Sequence, residues 1–491
     1  MPSSRTYVMF GCALLLAGGC AASHAQRVSA WMERQLEASR KSEQIMREAD
    51  TRKGLLSQYL VMRDAYVSHT DPAFRVIFGQ YLSWYQTFIG DYPHAAASFS
   101  IKQPPLPDDR PSPLSSPGYT ARPALDAIPE LARHYRAVFF NEAHNVPLTR
   151  TLTVQLLGKL RAEGFNYFAA ETLYQSDTKL QSRGYPIKGS GFYTEEPICA
   201  EMVRTALKLG FKMVAYEALS DATGDAREAE QARNIYNQVF RKDPSARLVL
   251  DAGYAHIQES GVFLGGSSMA EHLHQLSGID PLTVEQTMLF PHQSAADNHP
   301  YYAAVMQQLH PKEPIVFVNQ AGKPWALRAG YDVSVFFPPQ EMRRDRPTWL
   351  SLGGLRKPYF VSGNRCDRTF PCLVEARYAD EGPDAIPADR LALDPLPLNT
   401  VTSDRVSNGL IVPVSDLYLR PGKYKLTYSD SHANVLFQQD ITVTDKSDDV
   451  LAVDPPVPDR RRTVRKPLLA CAPVGSVPSQ FQASAAACPV P

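Results

Sequence analysis

The chain has 491 residues, with 51 lysines and arginines set against 51 aspartates and glutamates. That length suffices for two or three structural units with substantial cores. The balanced charge lacks the basic footprint of a nucleic-acid binder, so the expected ligand is a small molecule or a peptide and not a nucleic acid.

After Arg5, an apolar run over residues 7–19 is too short to span a bilayer but suits the core of a signal peptide, which we place at residues 1–25. Two processing sites compete. Ala17-Gly18-Gly19-Cys20 resembles a lipobox, whose cysteine would carry a lipid anchor, whereas Ser23-His24-Ala25 is a small-x-small cleavage site that leaves Gln26 first. Both predict export, either as a periplasmic or outer-membrane lipoprotein held at the membrane through Cys20 or as a soluble or secreted form. Beyond Cys12 and Cys20 five cysteines remain, a sparse complement that agrees with an oxidising compartment. Cys366 and Cys372 bracket a short loop and are a candidate disulfide, Cys471 and Cys488 are a second candidate pair in the tail, and Cys199 reads as a buried apolar thiol.

Residues 26–102 are predicted as a helical lead-in, because apolar residues recur at three- and four-residue steps through Leu55, Leu56, Tyr59, Leu60 and Met62. Residues 103–123 are crowded with prolines, a composition that resists helix and strand and marks a linker or a loop wrapped over the surface. From 124 to 340 short apolar runs alternate with helical stretches, the pattern of an α/β domain with a mainly parallel central sheet flanked by helices. The expected strands lie at 137–140, 167–170, 212–216 and 247–250, with 315–318 and 333–337 completing the sheet. Asn145 is the expected cap, and Pro147 a first-turn residue, of the helix that follows the first strand. Residues 347–444 read as a small β-rich appendage, and 445–491 as a disordered tail.

The ionisable residues fall in a telling order. Glu142 and His144 follow the first strand, Glu171 the second, Glu217 the third, and Gly253-Tyr254-Ala255-His256 comes soon after the fourth. Parallel strands place their carboxyl ends on one edge, where open α/β sheets bind ligands, so these side chains should converge. Any one of the glutamates reads most simply as a cap or a salt-bridge partner; it is their joint placement that predicts a site. Two imidazoles and several carboxylates suit two chemistries. They can hold a divalent metal through His144, His256 and Glu171 and activate its water, or work as general acids and bases without one. Around them, Arg150 can neutralise a carboxylate, pair within the core or hold a substrate, Tyr193 and Tyr254 are candidate substrate contacts, and the two tyrosines are also candidate haem ligands. The remaining histidines, among them His94, His292 and His299, are read as structural or solvated.

Asn141-Glu142-Ala143-His144-Asn145, followed by a helix, Gly164-Phe165, Ala170-Glu171-Thr172 and the later Gly253-Tyr254-Ala255-His256, resembles the superfamily that unites erythromycin-esterase-like proteins, ChaN-like haem-uptake lipoproteins and TraB/Tiki proteins. The resemblance spans about residues 124–338. It departs at Asn141, where the family usually has glycine, and this puts the close approach of backbone to ligand in question. What the resemblance implies is an exported hydrolase, metal-dependent or not, acting on an ester or peptide. A haem- or iron-binding envelope lipoprotein and a non-catalytic envelope protein that keeps the pocket are the alternatives. By position it carries over Glu142, His144, Glu171 and His256, with Glu217 next.

Overall fold

The computed structural model describes residues 21–100, 102–394, 406–407 and 410–445. The signal-peptide core, Cys20, Cys471, Cys488 and the tail from 446 lie outside the described residues. No described helix is long and apolar enough to cross a membrane.

The centre is a six-stranded parallel sheet of β1 (Ala137–Glu142), β2 (Tyr167–Ala170), β3 (Lys212–Val214), β4 (Leu248–Gly253), β5 (Leu282–Glu285) and β6 (Val333–Ser334), in the order β3-β2-β4-β1-β5-β6. The middle strands β1 and β4 are buried along their whole length, as a sheet covered on both faces requires. Successive residues serve opposite cores: Val138 and Phe140 pack with Leu152, Leu156 and Phe168 on one face, while Ala137 and Phe139 pack with Ile235, Leu250 and Phe336 on the other. Register aligns Glu142 with Gly253 and Ala170 with Asp251, so β1 and β4 end level and β2 stops two residues short of them, with Glu171 just beyond its end.

Three details depart from the sequence expectation. Residues 282–285, too short and mixed to stand out, supply a sixth strand. Ile315–Asn319 stays out of the parallel sheet and pairs antiparallel with Tyr119–Pro123, the end of the proline-rich segment expected to resist strand. Its only strand proline, Pro123, sits at the last position, where a ladder loses least from a missing N–H. Asn145 does not cap the helix Leu148–Ala162, which is preceded by Pro147; its amide instead donates to the carbonyls of Ala95 and Phe99, at 3.2 and 2.7 Å.

The lead-in forms α1 (Ala21–Asp50), α2 (Leu55–Ser68), α3 (Pro72–Phe88) and α4 (Tyr92–Ser98). It is no separate body. Trp84 and Phe88 of α3 meet Phe192 edge-on, and the Tyr92 hydroxyl donates to Glu196 at 3.0 Å. The proline-rich segment straps the α/β core: Asp109 pairs with Arg328 at 3.0 Å, and the Trp325 indole donates to the Pro111 carbonyl.

C-terminal to the core, an antiparallel sheet joins Asp389–Leu393, Cys372–Tyr378, Gly422–Ser429 and Val435–Val443, beside a pair made by Lys357–Ser362 and Val414–Leu419. Cys366 and Cys372 are disulfide-bonded, and Cys199 is a buried free thiol. Buried ion pairs tie this appendage to the rest, with Arg204 on Glu381 at 2.7 Å and Arg356 on Glu201 at 3.5 Å.

Candidate active site

The carboxyl edge gathers the predicted acids and both imidazoles. Glu142, the last residue of β1, is 4 % exposed and sits against Arg150 from the helix Leu148–Ala162. Arg150 grips it at both oxygens: Nη2 donates to Oε1 at 2.8 Å, and Nε to Oε2. The same Oε1 lies 2.9 Å from His144 Nδ1. Burial alone would raise the Glu142 carboxyl, but the Arg150 charge and the hydrogen bonds from His144 and Arg150 outweigh it and hold the group well below the usual carboxylate range. Beneath it Asp251 is pushed well up by burial and by the neighbouring Glu142, so it keeps its proton.

His256 repeats this arrangement on the other side. Its Nδ1 lies 2.7 Å from Glu228 Oε2, which also accepts the Met269 amide at 2.9 Å. A carboxylate at Nδ1 fixes the proton there and turns Nε2 toward the site. Glu171 stands between the rings. Its Oε1 lies 3.5 Å from His256 Nε2 and accepts from Arg227 Nη2 at 3.1 Å, while Oε2 accepts the Gly253 amide at 2.7 Å. Burial opposes ionisation of Glu171, yet His256, His144, Arg227 and that amide keep it a carboxylate with its pKa lowered. Burial pushes His256 down, but Glu171 and Glu228 overcome it and raise its pKa, which favours the imidazolium.

Gly253 brings the two halves together. A Cβ there would stand 2.5 Å from His144 Nε2 and 3.1 Å from Glu171 Oε2, so both atoms border the one space that only a glycine leaves open. Tyr193 stacks face to face on His144 at 3.9 Å, and Tyr254 meets the same ring edge-on at 5.1 Å. Tyr254 has a left-handed backbone (φ 48°), and its carbonyl accepts from the Asn141 side chain at 2.9 Å. Asn141 itself lies inside β1 without a left-handed backbone. It works as a clamp: besides holding Tyr254, its Oδ1 accepts the Gln286 amide at 2.6 Å.

Two predicted residues have other roles. Arg150 is fully buried between Glu142 and Glu196, so it supports the site from below and does not face a substrate. Glu217, whose side chain is 28 % exposed, joins the cluster only through Arg227, whose Nε it accepts at 2.9 Å. Sequence reasoning missed Arg227 and Glu228, which lie in the charged helix Asp225–Ile235, and Glu196, which caps the helix Pro197–Lys208 by accepting from the amides of Ile198 and Cys199. A run of charges on a helix carries no sign of which members turn inward.

A metal does not fit the cluster as it stands. Among the described residues no group of three or more His, Cys, Asp or Glu side chains is placed to hold one. Glu171, the carboxylate such a site would need, is already engaged by the Arg227 guanidinium and the Gly253 amide. Tyr193, stacked on His144, has its phenol pushed well up by burial and by the nearby Glu171.

No protein-family model and no curated protein matches the chain. Among solved structures, the type III effector HopBA1 is similar at 10% identity over 45% of this chain and 99% of its own, with a TM-score of 0.30. The C-terminal region of Pasteurella multocida toxin, described as having a thiol-protease-like catalytic triad, is similar at 14% identity over 50% of this chain and 33% of its own, with a TM-score of 0.25. The toxin effector domain RRSP from Vibrio vulnificus is similar at 13% identity over 54% of this chain and 62% of its own, also at 0.25. The chain thus spans less than two thirds of the last two, and likenesses this loose leave the functional reading to the site itself.

Proposed function

We propose that the protein is an exported hydrolase of the erythromycin-esterase/ChaN/Tiki type that cleaves an ester or amide by acid–base chemistry of its own residues. One observation carries this reading: two buried imidazoles, each held at Nδ1 by a buried carboxylate, flank a single carboxylate, Glu171. A purely structural cluster has little use for a duplicated device of this kind, whereas hydrolysis needs a proton acceptor and a proton donor at fixed positions.

His144 is the acceptor in this scheme. Its Nε2 takes a proton from water as the water oxygen bonds to the carbonyl carbon and the C=O electron pair moves onto oxygen. The His256 imidazolium meets that negative charge. When the tetrahedral centre collapses, the bond to the leaving oxygen or nitrogen breaks and the proton held by His144 passes to the leaving group. Glu142 and Glu228 orient the rings, and Glu171, anchored by Arg227, keeps His256 charged. Glu142 is no base here, because Arg150 occupies it.

The test is hydrolysis of a panel of chromogenic esters and peptides by the purified protein and by His256→Ala. The expected loss is about 100-fold or more, the usual scale for a positioned acid or base, with circular dichroism unchanged. Equal turnover in the variant would remove the scheme.

A further inference from the structure

Beside the imidazoles lies a cavity of about 670 Å³. Ala143 and Asn145, on either side of His144 in the chain, form part of its wall, as does Tyr254, which meets the His144 ring edge-on. Aromatic and aliphatic side chains supply most of the remainder, including Phe99, Phe290 and Trp349. Among the described residues no Asp, Glu, Lys or Arg lines it, in contrast to the charge-dense cluster next to it. Its size lies within the range of small-molecule sites, roughly 300–1,000 Å³.

Two wall residues carry an unmet hydrogen-bonding demand. Asn145 is 1 % exposed and Tyr302 is 3 % exposed, and neither Asn145 Oδ1 nor Tyr302 Oη has a partner among the described residues. The Asn145 amide cannot simply be turned round, since its Nδ2 faces two carbonyl oxygens, those of Ala95 and Phe99. Its Oδ1 is therefore an acceptor in want of a donor. Burial pushes the Tyr302 phenol up, so it remains a hydroxyl. Buried polar atoms left unpaired are uncommon in folded proteins and call for a cause.

We infer that this cavity is a binding site for an uncharged, largely apolar small molecule, or the apolar part of a substrate, that carries an N–H or O–H donor for Asn145 and a hydrogen-bonding group for Tyr302. The inference deepens the hydrolase reading by naming the class of substrate, and rests on that reading only for what happens to the molecule once bound. A cation would meet no carboxylate there, and an anion no lysine or arginine and only the His292 imidazole, a costly transfer.

The probe is N-phenyl-1-naphthylamine, which is neutral, apolar and has one N–H, and whose fluorescence rises in apolar surroundings. Its titration is compared with that of 8-anilino-1-naphthalenesulfonate, which has the same rings plus a negative charge. The neutral probe should bind at least about tenfold more tightly, reflecting the cost of an unpaired charge. Tyr302→Phe should weaken it about fivefold, the scale of one lost hydrogen bond. Ala303→Trp, made at an exposed helix position on the rim and so tolerable to the fold, should abolish binding by filling the mouth. His256→Ala should bind like the wild type, so a failure of the hydrolase scheme leaves this result standing. No saturable binding of the neutral probe, equal binding of the anion, or binding indifferent to Ala303→Trp would each overturn the inference.

Discussion

Glu228 holds His256 by its Nδ1 edge at 2.7 Å, although 28 residues separate them and the glutamate lies on a helix that the sequence marks only as charged. Since this carboxylate helps to raise the imidazole, Glu228→Gln should lower the His256 pKa. If His256 works as the imidazolium, activity fails as pH rises through that pKa, so the alkaline limb of the pH–rate profile should move to lower pH. At neutral pH the rate should fall by about 10–100-fold, typical of a lost partner behind a functional histidine. A fall in rate with an unmoved limb would count against the assigned charge.

Gly253→Ala separates close approach from backbone freedom. Gly253 has φ −69°, which any residue adopts, but the added methyl would meet the His144 ring at 2.4 Å. The ring must move, and a displacement of about 1 Å at a reacting group costs on the order of 100-fold in rate. The measurement is kcat beside thermal unfolding. A variant that keeps full activity would show that His144 does not act from this position.

Arg150→Met should act on stability before activity. It leaves Glu142 buried and unpaired by its arginine, a loss of about 3–5 kcal/mol in urea unfolding. Glu142→Gln/Arg150→Met should recover part of that. The pH sense follows from the lowered Glu142 and Glu171 carboxyls. Their stabilisation is present above the unfolded glutamate value of roughly 4.3 and is lost as pH falls through the lower folded values. The Arg150→Met protein, without its share of that linkage, should show a shallower loss of stability as pH falls below roughly 4.3.

Exhaustive dialysis against a chelator should leave hydrolysis unchanged, because Glu171 is already committed to Arg227 and His256. Loss of activity restored by zinc or manganese, with metal found in the untreated protein, would replace the acid–base scheme by a metal-centred one.

The edge of the sheet was legible because one rule governs it: parallel strands end together, so Glu142, Glu171 and the turn before His256 meet whatever the helices do. Partners from helices were not legible. Arg227, Glu228 and Glu196 look in sequence like surface charges, and only the packing of their helices against the sheet turns them inward. Arg150 was seen with both readings open, because a buried arginine under a glutamate and an arginine facing a substrate leave the same trace; the packing selects the first. Ile315–Asn319 was assigned to the parallel sheet on its apolar run alone; its true partner, Tyr119–Pro123, was hidden by prolines that a terminal strand position tolerates.

The Tyr92 hydroxyl reaches Glu196, Glu196 reaches Arg150, Arg150 reaches Glu142, and Glu142 reaches His144. An imidazole at the sheet edge is therefore braced, link by link, by a residue of α4. Cutting the gene at the proline-rich stretch, the obvious place to isolate the α/β portion, would remove the far abutment of that chain together with the carbonyls that steady Asn145. The smallest piece of this protein worth expressing for enzymology begins upstream of α3.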